Sequence, residues 1–411
     1  MKIFARGHKV NVLTTIKGQS DLPRYFAPVY RKLSQIHTGR LSVTLPDGRL
    51  FQVEGQHAGP SGQMEIHNRD VFARLLREGN LGFAEAYLDG WWSTPDLQSL
   101  LDVLAANQDV VAQNAPGSSV VRVIEQLRHR LRSNTKRQAV RNIHQHYDLG
   151  KAFFGKWLDE TMSYSAARYI TGKEDLKTAQ LQKLALMCDS MDLKEGDHVL
   201  DIGCGWGGFA LFAARRGARV TGLTISKDHF DYCTALMKRE GVSDRVKIVM
   251  RDYRDETGSY DGIGSIEMIE HVGEKFWPAY FSMINRCLKP GGKATVQAIT
   301  IDDALFPIYR RNIDFVRKHI FPGGMLPCPQ AIKDNIRNAG MDLVGEFDLT
   351  DSYSKTLREW GNAFNTRWDE IKALGFDERF RRMWGWYLAV SAAGHAYGST
   401  AVTQFTMQRP T

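Results

Sequence analysis

The chain has 411 residues, of which 43% are hydrophobic and 24% are charged, and its formal net charge is +8. This composition is typical of a globular protein, and the length predicts two domains or one domain with a large appendage. No apolar run approaches the roughly 20 residues of a transmembrane helix, and the first residues lack the apolar core of a signal peptide. We therefore expect a cytoplasmic protein.

The cysteine and charge patterns restrict which metals and macromolecules the protein is expected to bind. Five cysteines are scattered without a C-x-x-C pair, which predicts reduced thiols and no metal site. The basic excess favours a polyanionic partner, either nucleic acid or an anionic membrane face. It is strongest in residues 122–141, where seven Lys and Arg residues face one acid, Glu125. A solvated helix face explains this run as well as docking to phosphate head groups does.

The amino-terminal part of the chain has the pattern of a small α+β unit. The predicted elements are a helix within residues 25–36, a hairpin of strands 41–45 and 49–53, a strand at 64–67, a short helix at 69–77, and a helix at 96–107. Between the last two helices, residues 82–92 are rich in aromatics, and the pair Trp91 and Trp92 is predicted to be core. Loop composition at residues 108–119 indicates a domain boundary. We predict an N-terminal α+β domain over residues 1–115, with a lipid or dimer contact as its role, a basic helical connector over 116–145, and an α/β domain over 146–411.

The α/β domain alternates strands and helices as a doubly wound, mostly parallel sheet does. Its predicted strands are 199–202, 220–223, 246–250, 260–266 and 293–300. Ligands of such sheets bind at the carboxyl ends of the strands. Polar side chains are expected there: Thr224, Ser226, Asp252, Tyr253, Glu267, Glu270 and Gln297.

The first strand runs into a glycine-dense turn that opens a helix, over residues 198–209. Gly203, Gly205 and Gly207 permit backbone angles and a close ligand approach that side chains would block, and the helix start offers N–H groups. A dinucleotide site would need an acidic residue closing the next strand, and residues 218–224 end without one. The Asp-x-Gly-x-Gly-x-Gly spacing that starts at Asp201 instead resembles the loop of S-adenosylmethionine (SAM) methyltransferases.

Further motifs make the resemblance more specific. Together they are similar to the cyclopropane-fatty-acyl-phospholipid synthases and related lipid C-methyltransferases, over about residues 140–390, and residues 82–92 resemble the N-terminal domain of longer members. The matching segments are 146–150, 162–165, 199–208, 223–227, 269–273, 289–292, 321–327 and 352–357.

This resemblance implies a class I, Rossmann-like SAM-dependent methyltransferase domain. It places the loop glycines by the methionine part of SAM, Thr224 in the place of the missing ribose-binding acid, and Tyr253 by the adenine. The implied SAM-binding residues are Tyr164, Ser165, Asp201, Gly203, Gly205, Gly207, Thr224, Ile225, His229, Tyr253 and Arg254.

The resemblance also implies a bicarbonate ion beside the transferring methyl, bound by a Cys, a Glu, a His and a Tyr. Glu270 and Tyr353 match two of these positions. Ala166 stands where the Cys is expected and Gln297 where the His is expected. Gln297 can still hydrogen-bond an anion, whereas Ala166 has no side-chain donor. These departures put bicarbonate in doubt.

The implied reaction is transfer of the SAM methyl to the double bond of unsaturated acyl chains in membrane phospholipids. Loss of a proton from the new methyl closes a cyclopropane, the family default, and loss from another carbon leaves a methyl-branched or methylene chain. We predict that Glu270 supplies or positions the base, with Tyr353 as its hydrogen-bond partner and Gln297 beside it.

Two further alternatives stay open: a SAM-dependent methyltransferase acting on another substrate, and a non-catalytic lipid-binding relative. We expect no nucleic-acid partner, because no RNA-binding module is visible. The basic, amphipathic residues 307–322 favour peripheral association with an anionic membrane surface. A homo-oligomer is compatible with the sequence, which does not specify an oligomeric state.

Overall fold

A computed structural model describes residues 11–112 and 149–411 of the chain. These residues form two compact units. The first contains residues 11–112 and Glu378–Ala393, and the second contains residues 149–377 and Gly394–Thr411. The sequence analysis assigned 378–393 to the α/β domain, whereas the structure groups them with the amino-terminal unit. The predicted basic connector over 116–145 and the basic run at 122–141 lie outside the described residues.

The first unit contains a five-stranded sheet in the order β1-β3-β2-β4-β5. Its strands are β1 (Val12–Leu13), β2 (Thr38–Thr44), β3 (Leu50–Glu54), β4 (His57–Ile66) and β5 (Trp92–Ser93). The helices are α1 (Phe26–Leu33), α2 (Val71–Leu88), α3 (Leu97–Ala106) and α4 (Gln108–Ala112). The predicted hairpin is confirmed, since β2 and β3 pair antiparallel with Thr44 opposite Leu50. Helix α2 is longer than predicted and bends at Gly79, whose φ is 65°.

An aromatic cluster forms the core of this unit beside β5. Trp92 is fully buried, and its ring stacks on Phe83 with a centroid distance of 4.6 Å. Trp386 meets Trp92 edge-on at 5.9 Å. Trp91 is half-buried, with the Arg74 guanidinium 4.9 Å from its ring centroid. The prediction that this tryptophan pair is core is therefore confirmed for Trp92, while Trp91 packs at the edge under a cation.

The second unit contains a seven-stranded sheet in the order β11-β12-β10-β9-β6-β7-β8. Its strands are β6 (His198–Ile202), β7 (Arg219–Thr224), β8 (Val246–Met250), β9 (Tyr260–Ile266), β10 (Leu288–Ile301), β11 (Asp342–Asp348) and β12 (Thr400–Gln408). The five predicted parallel strands are confirmed as β6 to β10. Strand β12 adds antiparallel to β10, and β11 adds antiparallel to β12.

Helices surround the parallel strands. Those of the second unit are α5 (Gly150–Phe154), α6 (Leu176–Ser190), α7 (Gly208–Arg215), α8 (Lys227–Arg239), α9 (Trp277–Cys287), α10 (Phe306–Arg311), α11 (Pro329–Asn338), α12 (Thr350–Thr366) and α13 (Trp368–Lys372), and α14 (Glu378–Ala396) runs from the first unit's residues into the second's. Val199 and Leu200 of β6 belong to different apolar clusters, as expected for neighbours on opposite faces of a strand.

The strand order reverses direction between β6 and β9, because the chain continues from β6 to β7 on one side and reaches β9 on the other. Such a switch point leaves a crevice at the carboxyl ends of the strands. Among residues 11–112 and 149–411, no helix is both long enough and apolar enough to cross a bilayer.

Candidate active site

A cavity opens at the carboxyl ends of β6 to β9. Its wall includes the glycine turn after β6, residues 224–226 after β7, residues 251–254 after β8 and residues 267–268 after β9. Ten of the eleven predicted SAM-binding residues line it: Tyr164, Ser165, Asp201, Gly203, Gly205, Thr224, Ile225, His229, Tyr253 and Arg254. Segments separated by up to 90 residues in the chain therefore meet around one cavity.

Gly207 is the predicted SAM-binding residue that does not line this cavity. It precedes α7 with a φ of 84°. A Cβ added there would lie 3.0 Å from Cys233 Sγ and 3.1 Å from Met237 Cε. Gly207 is thus required by the packing of α8 against the turn. Gly205 has a φ of 50° and open space around its Cα, so it can let a ligand approach the backbone.

The cavity wall contains a buried carboxylate that lacks a partner on one oxygen. Asp201 is 2% exposed, and its Oδ2 has no hydrogen-bond partner among the described residues. Burial raises the pKa of Asp201 to about 7, with Lys183 opposing the shift. A cationic donor placed there would favour the charged carboxylate. SAM carries positive charge on its sulfonium sulfur and its amino group, so the orphaned oxygen fits this cofactor.

A lysine and two rings complete this part of the wall. Lys183 Nζ donates to Ser165 Oγ at 2.7 Å, and burial lowers the pKa of Lys183 to about 8. Trp206 and His229 pack with centroids 4.5 Å apart, and burial lowers the pKa of His229 to about 4. His229 is therefore neutral at physiological pH. The sequence analysis did not name Lys183 or Trp206, although Trp206 lies inside the glycine turn that it singled out.

A second carboxylate, Glu267, lines the cavity directly after β9. Its Oε1 accepts hydrogen bonds from the Ala166 N–H and from Gln297 Nε2, both at 2.8 Å. The Tyr353 hydroxyl donates to its Oε2 at 3.2 Å. The resemblance implied that the side chains at positions 166, 297 and 353 bind a free anion. In the structure these three residues instead donate hydrogen bonds to the carboxylate of Glu267. The sequence analysis placed Glu267 at this strand end but gave it no role.

Glu270 lies close by but makes different contacts. It is 6% exposed, its Oε1 accepts from the Ile299 N–H at 2.5 Å, and its Oε2 has no partner among the described residues. The predicted pairing of Glu270 with Tyr353 is wrong, because the Tyr353 hydroxyl donates to Glu267. Glu270, Gln297 and Tyr353 do not line the cavity. Glu267 stands between the cavity and two of them.

The two carboxyl groups differ in the donors that face them. Burial and the negative charge of Glu267 raise the pKa of Glu270 to about 8. Burial also raises the pKa of Glu267, but three hydrogen bonds and the charge of Lys183 oppose that shift. Donors to a carboxylate favour its charged form. The surroundings of Glu267 therefore favour a carboxylate more than those of Glu270 do.

The basic segment at residues 307–322 has both an internal and an exposed part. Arg317 is 4% exposed and donates to the carbonyls of Tyr309 at 2.9 Å and Asn312 at 2.8 Å. This arginine therefore binds the segment's own backbone instead of facing a lipid. Ile308 on α10 is 63% exposed, and Arg310, two residues further on, pairs with Glu274 at 2.8 Å.

Comparison with known proteins identifies the family. The model of the mycolic acid cyclopropane synthetase family matches residues 134–405, well over half of the chain. The chain belongs to this family. The predicted family, the α/β methyltransferase fold and the use of SAM are thereby confirmed, and the protein is a SAM-dependent methyltransferase.

Relatives of this family match most of the chain. The tuberculostearic acid methyltransferase UfaA1 of Mycobacterium tuberculosis is 38% identical over 374 residues, which cover 88% of this chain and 87% of that protein. The cyclopropane-fatty-acyl-phospholipid synthase of Escherichia coli is 33% identical over 373 residues, covering 85% and 91%. Both relatives modify fatty acyl groups by name, and their names differ in the product.

Solved structures of the family match the second unit's fold. The cyclopropane synthase MmaA2 from Mycobacterium tuberculosis has a TM-score of 0.62 and 26% identity, covering 66% of this chain and 98% of that one. The mycolic acid cyclopropane synthase CmaA1 in complex with SAH and CTAB has a TM-score of 0.62 and 28% identity, with the same coverage. SAH is SAM without its transferable methyl group.

Proposed function

We propose that this protein transfers the methyl group of SAM to a carbon–carbon double bond in the unsaturated fatty acyl chain of a phospholipid. The observation that carries this proposal is the placement of Glu267, a half-buried carboxylate, in the wall of the cavity that Asp201 makes suitable for SAM. Methylation of an alkene carbon leaves a carbocation, and its collapse to product requires a proton acceptor close to the transferred methyl.

Each part of the site has a task in this reaction. SAM, when bound, supplies an electrophilic methyl group. Asp201 pairs with its positive charge, and the buried rings of Trp206 and His229 exclude water from this side of the cavity. Water exclusion matters because water would trap the substrate cation as an alcohol. Glu267 provides negative charge beside the space in which that cation forms.

Two products are compatible with this chemistry, and each has an observation in its favour. Ring closure to a cyclopropane is favoured by the family match and by the similarity to the Escherichia coli synthase. An open-chain product, methylene or methyl-branched, is favoured by Ala166 and Gln297 and by the higher identity to UfaA1. We propose the open-chain product, because the altered residues surround the group that we expect to remove the proton.

Access to a membrane lipid would use the exposed part of the segment at 307–322. Ile308 offers an apolar side chain, and Arg310 and Arg311 offer positive charge near it. The Arg310 guanidinium pairs with Glu274, and the Arg310 side chain is still more than half exposed. Sedimentation with vesicles of phosphatidylglycerol measures this contact. We expect Ile308→Asp to weaken it several-fold, with Leu374→Asp, which changes an equally apolar exposed side chain (43% exposed), as the matched control.

The activity test is mass spectrometry of membrane fatty acids from a host that lacks its own cyclopropane synthase and is fed methionine with a deuterated methyl. We expect label in acyl chains of cells that express this protein and none with the empty vector. Both products add one CH₂ unit, so mild catalytic hydrogenation distinguishes them. An open-chain methylene product takes up hydrogen, and a cyclopropane does not. Absence of label from all lipids would refute the proposed function.

A further inference from the structure

We propose that the Glu267 carboxylate replaces a dissociable anion in this active site and accepts the proton that the methylated acyl chain loses. This inference rests on the proposed function. It makes the enzyme independent of bicarbonate and assigns the acid–base role to a residue that sequence comparison alone did not select. The argument has four parts: the contacts of Glu267, its backbone, the network behind it, and its position in the cavity wall.

The contacts show a site built for an anion and already filled. The Ala166 N–H, Gln297 Nε2 and the Tyr353 hydroxyl converge on the carboxylate at 2.8, 2.8 and 3.2 Å. These are donors from three separate segments of the second unit. A free bicarbonate would need the same donors, so it competes with Glu267 for each of them. The loss of a side-chain donor at Ala166 is compensated because its backbone N–H binds the carboxylate.

The backbone of Glu267 is held in a conformation that a non-glycine residue rarely adopts. Its φ is 49°, which costs about 1 to 2 kcal/mol for a residue with a Cβ. Its N–H donates to the Gln297 carbonyl at 2.8 Å, so strand β10 holds the turn in place. Glycine would adopt this conformation without strain. The retention of a carboxylate here therefore points to a task for its side chain.

The network behind Glu267 fixes which way the Gln297 amide points. Gln404 Nε2 donates to Gln297 Oε1 at 3.0 Å, and Gln297 and Gln404 are direct partners of the antiparallel pair β10 and β12. With its oxygen occupied, Gln297 directs its NH₂ group to Glu267. The Gln297 amide is thus a hydrogen-bond donor in the place where the resemblance implied a histidine. As a donor, it stabilises the charged form of Glu267 and not the protonated form.

Donors and position assign the proton-accepting role to Glu267 over Glu270. Glu267 accepts from three donors, whereas Glu270 accepts from the Ile299 N–H and its Oε2 has no partner among the described residues. Glu267 also lines the cavity, and Glu270 does not. A proton acceptor must reach the substrate, and donors to its oxygens favour its charged form. Both conditions select Glu267.

The proposed step is balanced without an added oxidant or reductant. The alkene forms a bond to the methyl carbon as the methyl–sulfur bond breaks, SAH leaves, and the positive charge passes to the acyl chain. If Glu267 takes a proton from a chain carbon next to the cation, the C–H electron pair becomes the double bond of a methyl-branched alkene. A methylene product first requires a 1,2-hydride shift that moves the cation to the methyl-bearing carbon, after which Glu267 takes a proton from the methyl group and that C–H electron pair forms the C=CH₂ bond. The resulting Glu267 carboxylic acid releases its proton to solvent when the products leave.

The test compares wild type with Glu267→Gln and Glu267→Gly in buffers with and without bicarbonate. We expect wild-type turnover to be unchanged when carbon dioxide is removed. Glu267→Gln should lose about 100-fold or more in turnover, while its SAM dissociation constant stays within about threefold. Glu267→Gly relieves the backbone strain and opens the anion site. It should be inactive alone and regain at least tenfold with bicarbonate or formate.

Glu240→Gln is the matched control. The Glu240 carboxylate is partly exposed, does not line the cavity, and binds Arg215 at 2.6 Å and Arg239 at 3.2 Å. Binding of ¹³C-bicarbonate, followed by NMR, gives a readout without substrate: Glu267→Gly should bind it and wild type should not. Bicarbonate dependence of wild type, full activity of Glu267→Gln, or failure of Glu267→Gly to bind the ion would each overturn the inference. Absence of lipid labelling by wild type would refute the proposed function alone.

Discussion

Replacing Asp201 by Asn should stabilise the protein without ligand and weaken its binding of SAM. Asp201 is buried beside the glycine turn, and its Oδ2 has no partner among the described residues. The charged form therefore loses its hydration without full compensation. An amide of the same size keeps the packing and removes the charge. It also removes the group that we expect to pair with the cationic cofactor.

The size of the effect follows from the pKa of Asp201, which burial raises from 3.8 to about 7. Because the folded pKa is above the unfolded one, the native state binds more protons, and stability is lost as pH rises through this range. Between pH 5 and pH 8 the loss is about 2 to 3 kcal/mol. Asn does not titrate. The variant should therefore gain about 2 to 3 kcal/mol relative to wild type over this interval.

Urea unfolding at pH 5 and pH 8 measures this difference, and groups common to both proteins cancel in the comparison. Titration calorimetry at pH 8 measures the SAM side, where loss of a charged hydrogen bond should weaken binding by about 10- to 100-fold. Asp244→Asn, on the exposed turn before β8, controls for the chemistry of the change. A stability difference that is flat with pH, or unchanged SAM affinity, would refute the reasoning about Asp201.

Three further predictions test other parts of the structure. Gly207→Ala should lower the free energy of unfolding in urea by about 1 to 3 kcal/mol, because the added Cβ meets Cys233. Gly205→Ala should chiefly weaken SAM binding in calorimetry. If the two variants lost stability and SAM affinity equally, the separation of the two glycines' roles would be contradicted. Glu270→Gln should abolish the wild-type loss of stability as pH rises from 4.5 toward about 8, because the amide does not titrate. It should reduce turnover far less than Glu267→Gln does, because Glu270 does not line the cavity. Unfolding at several pH values and a steady-state assay check both, and an equal loss of turnover in the two variants would contradict the assignment of the base to Glu267. Trp92→Ala should destabilise the first unit by about 3 to 5 kcal/mol, measured by urea unfolding; a change below about 1 kcal/mol would exclude a core role.

The parallel sheet and the cavity could be predicted because their signals are local. Each strand of β6 to β10 is a short apolar run, and the glycine turn follows β6 within a few residues. Parallel strands bring their carboxyl ends to one edge, so residues that follow them meet without any further information. This reasoning placed Asp201, Thr224 and Tyr253 on one cavity, and it placed Glu267 at the same edge.

The contacts that decide the chemistry could not be predicted, because they join distant segments. Ala166 and Glu267 are 101 residues apart, and Glu267 and Tyr353 are 86 apart. Spacing does not say which of two nearby glutamates will receive the donors. The burial of Arg317 was missed for a different reason: its partners are nearby backbone carbonyls, which have no side-chain signature in the sequence. Gly207 was assigned to the ligand because a packing glycine and a binding glycine look alike in a sequence.

The structure brings two departures from the family pattern, Ala166 and Gln297, together with Glu267, although the three are separate in the sequence. Alanine at 166 removes a side chain, glutamine at 297 replaces an ionisable ring with a neutral donor, and Glu267 adds a fixed negative charge between them. A free anion can leave or be outcompeted, whereas a tethered carboxylate is always present at high effective concentration. It is also confined to one position, so it can remove a proton only from the carbon that the acyl chain presents to it. If Glu267 is the base, as we propose, independence of bicarbonate and the choice of product have one cause, and the two should change together in Glu267 variants.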